Sequence, residues 1–230
     1  LVGKVRKVIA VEIDRCLVAI LTERFASIGN ISIVAGDILA HKHALRREVV
    51  EAFSGIDAAA GGGVKLVANL PYQVATPLVM NLLTDHPNVR RLCFTVQAEV
   101  ADRITACENS KAFGPLSILT QTMCDVIPIV RLPPTAFWPR PAVNSVMLRL
   151  DVRTRLPFDR AEVEPFVRFV RGVFGHRRKT LRAALACFVD HAAQERVCRC
   201  FDPLRRPETF SVGEWLEVFR VFRTGYGAGG

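Results

Sequence analysis

The chain has 230 residues, 50% of them hydrophobic and 23% charged, the profile of a globular protein able to bury a sizeable core. No apolar run reaches the roughly 20 residues of a membrane span, no signal peptide is visible, and the length fits one large domain or a domain with a small appendage. A formal net charge of +9 argues against basic ligands and for polyanionic ones.

In chain order, the first part alternates strand and helix. Lys7-Val8-Ile9-Ala10-Val11-Glu12-Ile13-Asp14 reads as an apolar strand ending in acid. Asp14 can cap a helix whose Leu17, Ile20, Leu21 and Phe25 share one face. An acid at a strand end, beside a helix start, commonly holds the ribose hydroxyls of a nucleoside cofactor, which makes Glu12 a candidate. Ile31-Ser32-Ile33-Val34-Ala35-Gly36-Asp37 repeats the arrangement, with Asp37 placed to reach an adenine amino group. Either acid alone is more often a helix cap or a solvated turn. A charged, helix-compatible stretch follows over residues 43–53. Gly61-Gly62-Gly63 reads as a flexible connection, because a cofactor-cradling loop follows a strand and opens a helix, and this triplet precedes a strand.

Val64-Lys65-Leu66-Val67-Ala68 reads as a buried parallel strand, and Asn69-Leu70-Pro71-Tyr72 follows it directly. In open α/β sheets ligands sit just past the carboxyl ends of strands. Asn69 Oδ1 and the Leu70 carbonyl can each accept an N–H, and Pro71 holds the residue before it extended. Tyr72 offers a surface on which a base can stack. Together they suit a planar base with an exocyclic amine; an ordinary Asn-x-Pro turn is the plainer alternative.

Thr76-Pro77 is expected to open a helix over residues 76–83, followed by a strand over 91–96 and helices over 98–106 and 117–123. Strands over 125–132 and 143–150 then close the series as an antiparallel pair at one sheet edge. This is a doubly wound α/β plan. Beyond Asp151 the pattern changes to a linker over 153–158 and helices over 162–174, 179–188, 191–200 and 212–222. Their aromatics, Phe166, Phe169, Phe174, Trp215, Phe219 and Phe222, are assigned to packing. Residues 1–152 and 153–230 are therefore read as two domains, with a frayed glycine tail over 225–230. Seven scattered cysteines fit buried free thiols in a reducing cytosol. No metal is expected: Cys198-Arg199-Cys200 lacks zinc spacing, and His41 and His43 have no partner cysteines.

The positive charge is uneven. Residues 149–206 hold fourteen Lys/Arg against seven Asp/Glu, concentrated at Arg177, Arg178 and Lys179 with Arg182 one turn on. Such clusters neutralise phosphates, so nucleic acid is the favoured partner over a membrane surface or a merely solvated face.

The ordered set resembles the rRNA adenine-N6 dimethyltransferases of the KsgA/RsmA type, which use S-adenosylmethionine. It comprises Ala10-Val11-Glu12-Ile13-Asp14, Gly36-Asp37, Asn69-Leu70-Pro71-Tyr72, the segment from Gln97 to Ile104, and Phe113-Gly114-Pro115-Leu116-Ser117. Pro133-Pro134-Thr135-Ala136-Phe137-Trp138-Pro139-Arg140-Pro141, Arg177-Arg178-Lys179-Thr180-Leu181-Arg182 and the run from Arg206 to Ser211 complete it. The resemblance implies that Glu12 holds the cofactor ribose and Asp37 its adenine. Asn69 and Leu70 would grip the target N6, with Tyr72 and Phe137 stacking the base. It implies a Rossmann-like methyltransferase sheet with a small C-terminal all-α, RNA-binding domain. The partner would be ribosomal RNA or the small ribosomal subunit, met by a cytoplasmic monomer. The family carries a first strand and glycine-rich loop ahead of the Glu12 strand, whereas this chain opens with Leu1-Val2-Gly3-Lys4, which resembles the end of the following helix. Both are thus read as missing, and activity is expected of the intact protein. The alternatives are a macrolide-resistance enzyme acting on large-subunit rRNA, which Leu70 and the Arg177–Arg182 segment resemble less, and a non-catalytic RNA-binding assembly factor.

Overall fold

Short β-branched runs bounded by turn residues fold as strands throughout the first two thirds of the chain. The computed structural model describes residues 1–41, 44–53 and 62–224. β1 (Val8–Glu12) and β2 (Ile31–Ala35) pair in parallel, connected through α1 (Arg15–Arg24). Asp14 caps α1 as expected, its carboxylate accepting the N–H groups of Cys16 at 2.7 Å and Leu17 at 3.2 Å, a device worth about 1 kcal/mol. The expected apolar face of α1 is not buried: Leu17 and Ile20 are exposed and only Leu21 and Phe25 are half-covered. The expected helix over residues 43–53 is shorter too. Ala44–Leu45 forms β4, which pairs antiparallel with β3 (Leu39–His41), and α2 occupies only Arg47–Glu51. Leu45 and Val49 are the apolar anchors that bury this segment. His43, Gly61 and residues 225–230 lie outside the described residues.

The main sheet has the order β5 (Val64–Asn69), β6 (Val89–Gln97), β8 (Ser145–Val152), β7 (Cys124–Leu132). β5 and β6 are parallel, and the other two pairings are antiparallel, as the alternating character of 143–150 suggested. Leu92, Phe94 and Val96 on β6 and Leu148 and Leu150 on β8 are buried and form the core face. Among the described residues no strand pairs with the free edges of β1 and β5. Val67 on β5 is 55% exposed, and Ile9 and Val11 of β1 pack against the main core.

α3 (Tyr72–Asp85) starts earlier than Thr76-Pro77 implied. Pro71 occupies the N-cap, and its carbonyl accepts from Val74 at 3.1 Å and Ala75 at 3.0 Å. Pro77 lies inside the helix and removes the donor that would meet the carbonyl of Gln73, an exposed residue whose acceptor water can reach. Burial of Ala75, Leu78, Val79, Leu82 and Leu83 on one face outweighs it. α4 (Ala98–Thr105) ends against α5 (Pro115–Met123), where Gln121 donates to the carbonyls of Ile104 at 3.1 Å and Ala106 at 2.8 Å. Those bonds satisfy acceptors that a helix end leaves open.

α6 (Val163–Phe174), α7 (Leu181–Leu185), α8 (His191–Cys200) and α9 (Val212–Arg223) form the helical region. Phe166, Phe169, Phe174, Trp215 and Phe219 are buried in its core and Phe222 packs against it, which matches their assignment to packing; Phe210 joins them. Ser211 and Glu214 form a capping box on α9, and Arg205 pairs with Glu214 while lying 3.9 Å over the Phe210 ring. The Arg205 bond holds the Glu214 carboxyl below its ordinary value. Packing does not break at the linker: Phe113 and Ile118 join the helical core, whereas Val163 and Val167 join the sheet core. The thiols are free, but burial is not general: Cys16, Cys107, Cys187 and Cys200 are exposed, while Cys124 is buried and its pKa is pushed up to about 12 by desolvation. The exposed four sit near the ends of helices, beyond the reach of either core.

Candidate active site

Glu12 and Asp37 lie at the carboxyl ends of neighbouring parallel strands. The Glu12 carbonyl accepts the Gly36 N–H at 2.7 Å and ties the two ends together. Glu12 Oε1 accepts from the Asp14 N–H, and Asp37 Oδ1 from the Leu39 N–H, each at 2.9 Å. One oxygen of each carboxylate thus orders its own turn, and the second is left as an acceptor for hydroxyl or amino groups. Gly36 has φ +126°, a conformation that side chains with a Cβ rarely adopt. Its open face is filled by Arg46, whose Nη1 would lie 1.7 Å from a Cβ there. Arg46 is held by its own N–H on the Ile38 carbonyl at 2.9 Å and by Glu48 at 3.2 Å. No motif pointed to Arg46, because its contact with Gly36 exists only once β3 and β4 have folded back. Gly36→Ala is expected to lower stability by about 1–3 kcal/mol through backbone strain and to weaken nucleoside binding; an unchanged urea midpoint would contradict this.

Asn69 ends β5 in register with Thr95 of β6. The Leu70 N–H donates to the Thr95 carbonyl at 2.9 Å, so strand geometry runs one residue past β5 before Pro71 turns the chain into α3. The Leu70 side chain is buried, which anchors the segment. Asn69 is exposed and makes no hydrogen bond to a described residue through its side chain. The Tyr72 side chain lies outside the described residues. Phe137 belongs to the loop between β7 and β8, which is rooted where Leu132 pairs with Ser145 and Ser145 with Gln97. Asn144 accepts the Ala98 N–H at 2.9 Å. The loop therefore rises from the sheet end that carries Asn69, Leu70 and Pro71. Phe137 is half-buried there. Glu12 and Asp37 form a separate pair, with no hydrogen bond between described residues joining them to Asn69.

The four basic candidates are not equivalent. Arg177 pairs with Glu208 at 3.1 Å and donates to the Lys111 carbonyl at 3.2 Å, while the Glu208 carbonyl accepts the Asn109 N–H at 2.8 Å. These bonds fasten the loop before α5 to the helical region. Arg182 pairs with Glu195 at 2.9 Å. Arg178 and Lys179 are exposed, and Lys179 Nζ lies 3.6 Å from Cys187 Sγ.

A family model described as ribosomal RNA adenine dimethylase matches residues 1–223. The chain belongs to the ribosomal RNA adenine dimethylase family. It is 37% identical over 222 residues to ribosomal RNA small subunit methyltransferase A of Moorella thermoacetica, covering 94% of this chain and 75% of that protein. The protein of the same description in Clostridioides difficile is 36% identical over 227 residues, covering 96% and 76%. A crystal structure of a dimethyladenosine transferase from Plasmodium falciparum superposes with a TM-score of 0.72 at 17% identity, covering 95% of this chain and 82% of that one. That of the 23S rRNA methyltransferase ErmE gives 0.61 at 19%, covering 96% and 84%. At those identities the likeness is one of fold: a Rossmann-like methyltransferase sheet followed by a helical region. The family depends on S-adenosylmethionine. Two carboxylates with a spare oxygen each, on tied strand ends, fit the hydroxyls and amino group of its adenosine half.

Proposed function

We propose that this protein dimethylates adenine N6 in small-subunit ribosomal RNA, with S-adenosylmethionine as methyl donor. The observation that carries the reading is the Asn69-Leu70-Pro71 segment, clamped by Thr95 at the end of β5 with an exposed amide at its tip. S-adenosylmethionine supplies an electrophilic methyl group on its sulfonium. Glu12 accepts from the ribose hydroxyls and Asp37 from the cofactor's adenine. Asn69 Oδ1 and the Leu70 carbonyl accept the two N6 protons of the target base. Those bonds concentrate electron density on a nitrogen whose lone pair is otherwise delocalised into the ring. Phe137 and Tyr72 stack the base and fix its orientation, which supplies much of the rate. The methylated nitrogen loses its proton readily, so no histidine is required as a base. Once N6 carries one methyl a single N–H remains, and stacking must then hold the base with one fewer contact. Methyl transfer from labelled S-adenosylmethionine to unmodified small-subunit rRNA, with large-subunit rRNA alongside, tests the reading. Label is expected in the former; label confined to the latter, or absent from both, overturns it.

We further infer that residues 153–230 present the RNA-binding surface, and that residues 1–152 carry the chemistry. An aromatic core drawn mostly from residues after 153, with Phe113 and Ile118 packed into it, supports that division. Among the described residues no helix is long and apolar enough to cross a membrane. Free, partly exposed thiols fit the reducing cytoplasm. Exposed ion pairs such as Arg182–Glu195 are worth at most about 1 kcal/mol, so a phosphate can compete for Arg182. Arg177, held by two acceptors, serves chiefly to dock the 106–114 loop. Replacing Arg178 and Lys179 by Ala is expected to flatten the log–log salt dependence of RNA binding by about 1.4 to 1.8. Filter binding across a salt series measures it, and an unchanged slope returns both residues to a solvated face.

A further inference from the structure

Trp138 is 95% exposed, the most exposed of the large hydrophobic side chains among the described residues, while the chain's other tryptophan, Trp215, is fully buried. An indole left in water forgoes the burial that usually holds it inside a protein. Its position in the fold says what covers it. The loop between β7 and β8 carries Pro133, Pro134, Pro139 and Pro141, which restrict the backbone on both sides of Trp138. Little chain entropy is therefore left to lose when a ligand settles on the ring. The loop rises from the sheet end that holds Asn69 and Leu70. Phe137 has an extended backbone, φ −125° and ψ 151°, so consecutive side chains leave on opposite sides. Phe137 turns toward the protein and is half-buried, whereas Trp138 turns to solvent. One base cannot stack on both.

We propose that Trp138 is a stacking platform for an unpaired nucleotide flanking the target adenine. The proposal rests on the reading of the protein as an RNA methyltransferase and adds a residue that selects among RNA substrates. Charge supports a nucleic-acid occupant: Arg140 follows two residues later and is exposed, and Arg131 at the root of the loop has a side chain 77% exposed. A cation two residues from a free indole suits a base carried on a phosphate backbone. An apolar protein partner would instead call for a wholly apolar surface around the ring, whereas Arg140 is exposed beside Pro139. Because every base has a π face, the contact selects unpaired structure near the target rather than a particular sequence. A duplex, with its bases already stacked on one another, cannot use it.

The two-tryptophan composition makes the test direct. Small-subunit rRNA added to the wild-type protein should quench the long-wavelength emission of the exposed indole and leave the emission of Trp215. Trp138→Phe keeps an aromatic face and should show no such quenching. Trp138→Ala should bind this RNA about 10-fold more weakly, the loss of one base stack. Trp138→Phe should restore most of that affinity. The Ala variant should raise KM for RNA with little change in kcat, and should bind fully paired duplex RNA as the wild type does. The proposal is overturned if quenching is absent or persists in Trp138→Phe, if Trp138→Ala binds and methylates rRNA like the wild type, or if duplex RNA loses affinity equally. It is overturned too if the emission shifts with protein concentration alone, which would mark self-association. Wild-type methylation of rRNA together with a silent Trp138→Ala removes only this proposal; failure of the wild type to bind rRNA removes the reading beneath it as well.

Discussion

Asn69→Ala is expected to slow methyl transfer roughly 10²-fold while leaving affinity for RNA nearly unchanged. Asn69 is exposed at the end of β5, and the backbone that carries it is set by the Leu70–Thr95 hydrogen bond and by Pro71. Removing its amide leaves that backbone intact, so folding should be unaffected. What is lost is an acceptor aimed at the N6 proton as charge develops on the nitrogen. A positioned polar contact of this kind is worth about 3 kcal/mol in the transition state, or roughly a 10²-fold loss of rate. Asn69→Asp keeps an acceptor oxygen and should recover part of the rate. Single-turnover methyl transfer, read beside RNA binding by the same preparation, separates the two effects. Turnover by Asn69→Ala at the wild-type rate would remove Asn69 from the chemistry.

The largest stability effect is expected at Phe169. Its ring stacks on Phe222 at 4.5 Å and 26°, and its centroid lies within 6.3 Å of those of Phe188, Trp215 and Phe219. Phe169 is 1% exposed, so no solvent can fill the space its removal creates. Phe169→Ala should cost about 3–5 kcal/mol, the transfer of the ring plus the cavity left behind. Phe169→Leu should cost less because most of the volume remains. Loosening this core frees α6 from α9, so RNA binding should fall with it. Urea unfolding followed through buried Trp215 gives the value, and a loss below about 1 kcal/mol would mean the helical region collapses around the gap.

Much of this arrangement was legible because local chemistry and tertiary demand agree. Asp14 caps α1, α8 spans His191–Cys200 as the pattern indicated, and β7 and β8 form the antiparallel edge. The strand-end acids and the Asn69 tip were readable for the same reason, since each is a short motif at a predictable place. The misses share another cause. The sequence places the start of α3 at Thr76-Pro77 because proline suits a first turn, but Pro71 takes the N-cap and burial of Leu78 and Leu82 carries the helix through Pro77. The β3–β4 hairpin replaced part of an expected helix because Leu45 has a core site to fill. Arg177 read as a phosphate contact because its cluster is basic, but its acceptors come from Glu208, 31 positions later, and Lys111, 66 earlier. Arg46 reaches Gly36 only across a folded hairpin. Pairings between distant segments leave no periodic trace, and they decide which polar side chains of a motif remain available to a ligand.

The product of the reaction, on the RNA that carries it, distinguishes this enzyme from other RNA methyltransferases. Unmodified small-subunit rRNA incubated with the protein and S-adenosylmethionine, then digested to nucleosides and resolved by mass, tests the proposed function most directly. N6,N6-dimethyladenosine is expected, preceded in time by the monomethyl form and appearing roughly 10²-fold more slowly with Asn69→Ala. Methyl groups found on another base, at another position of adenine, or only in large-subunit rRNA would contradict it.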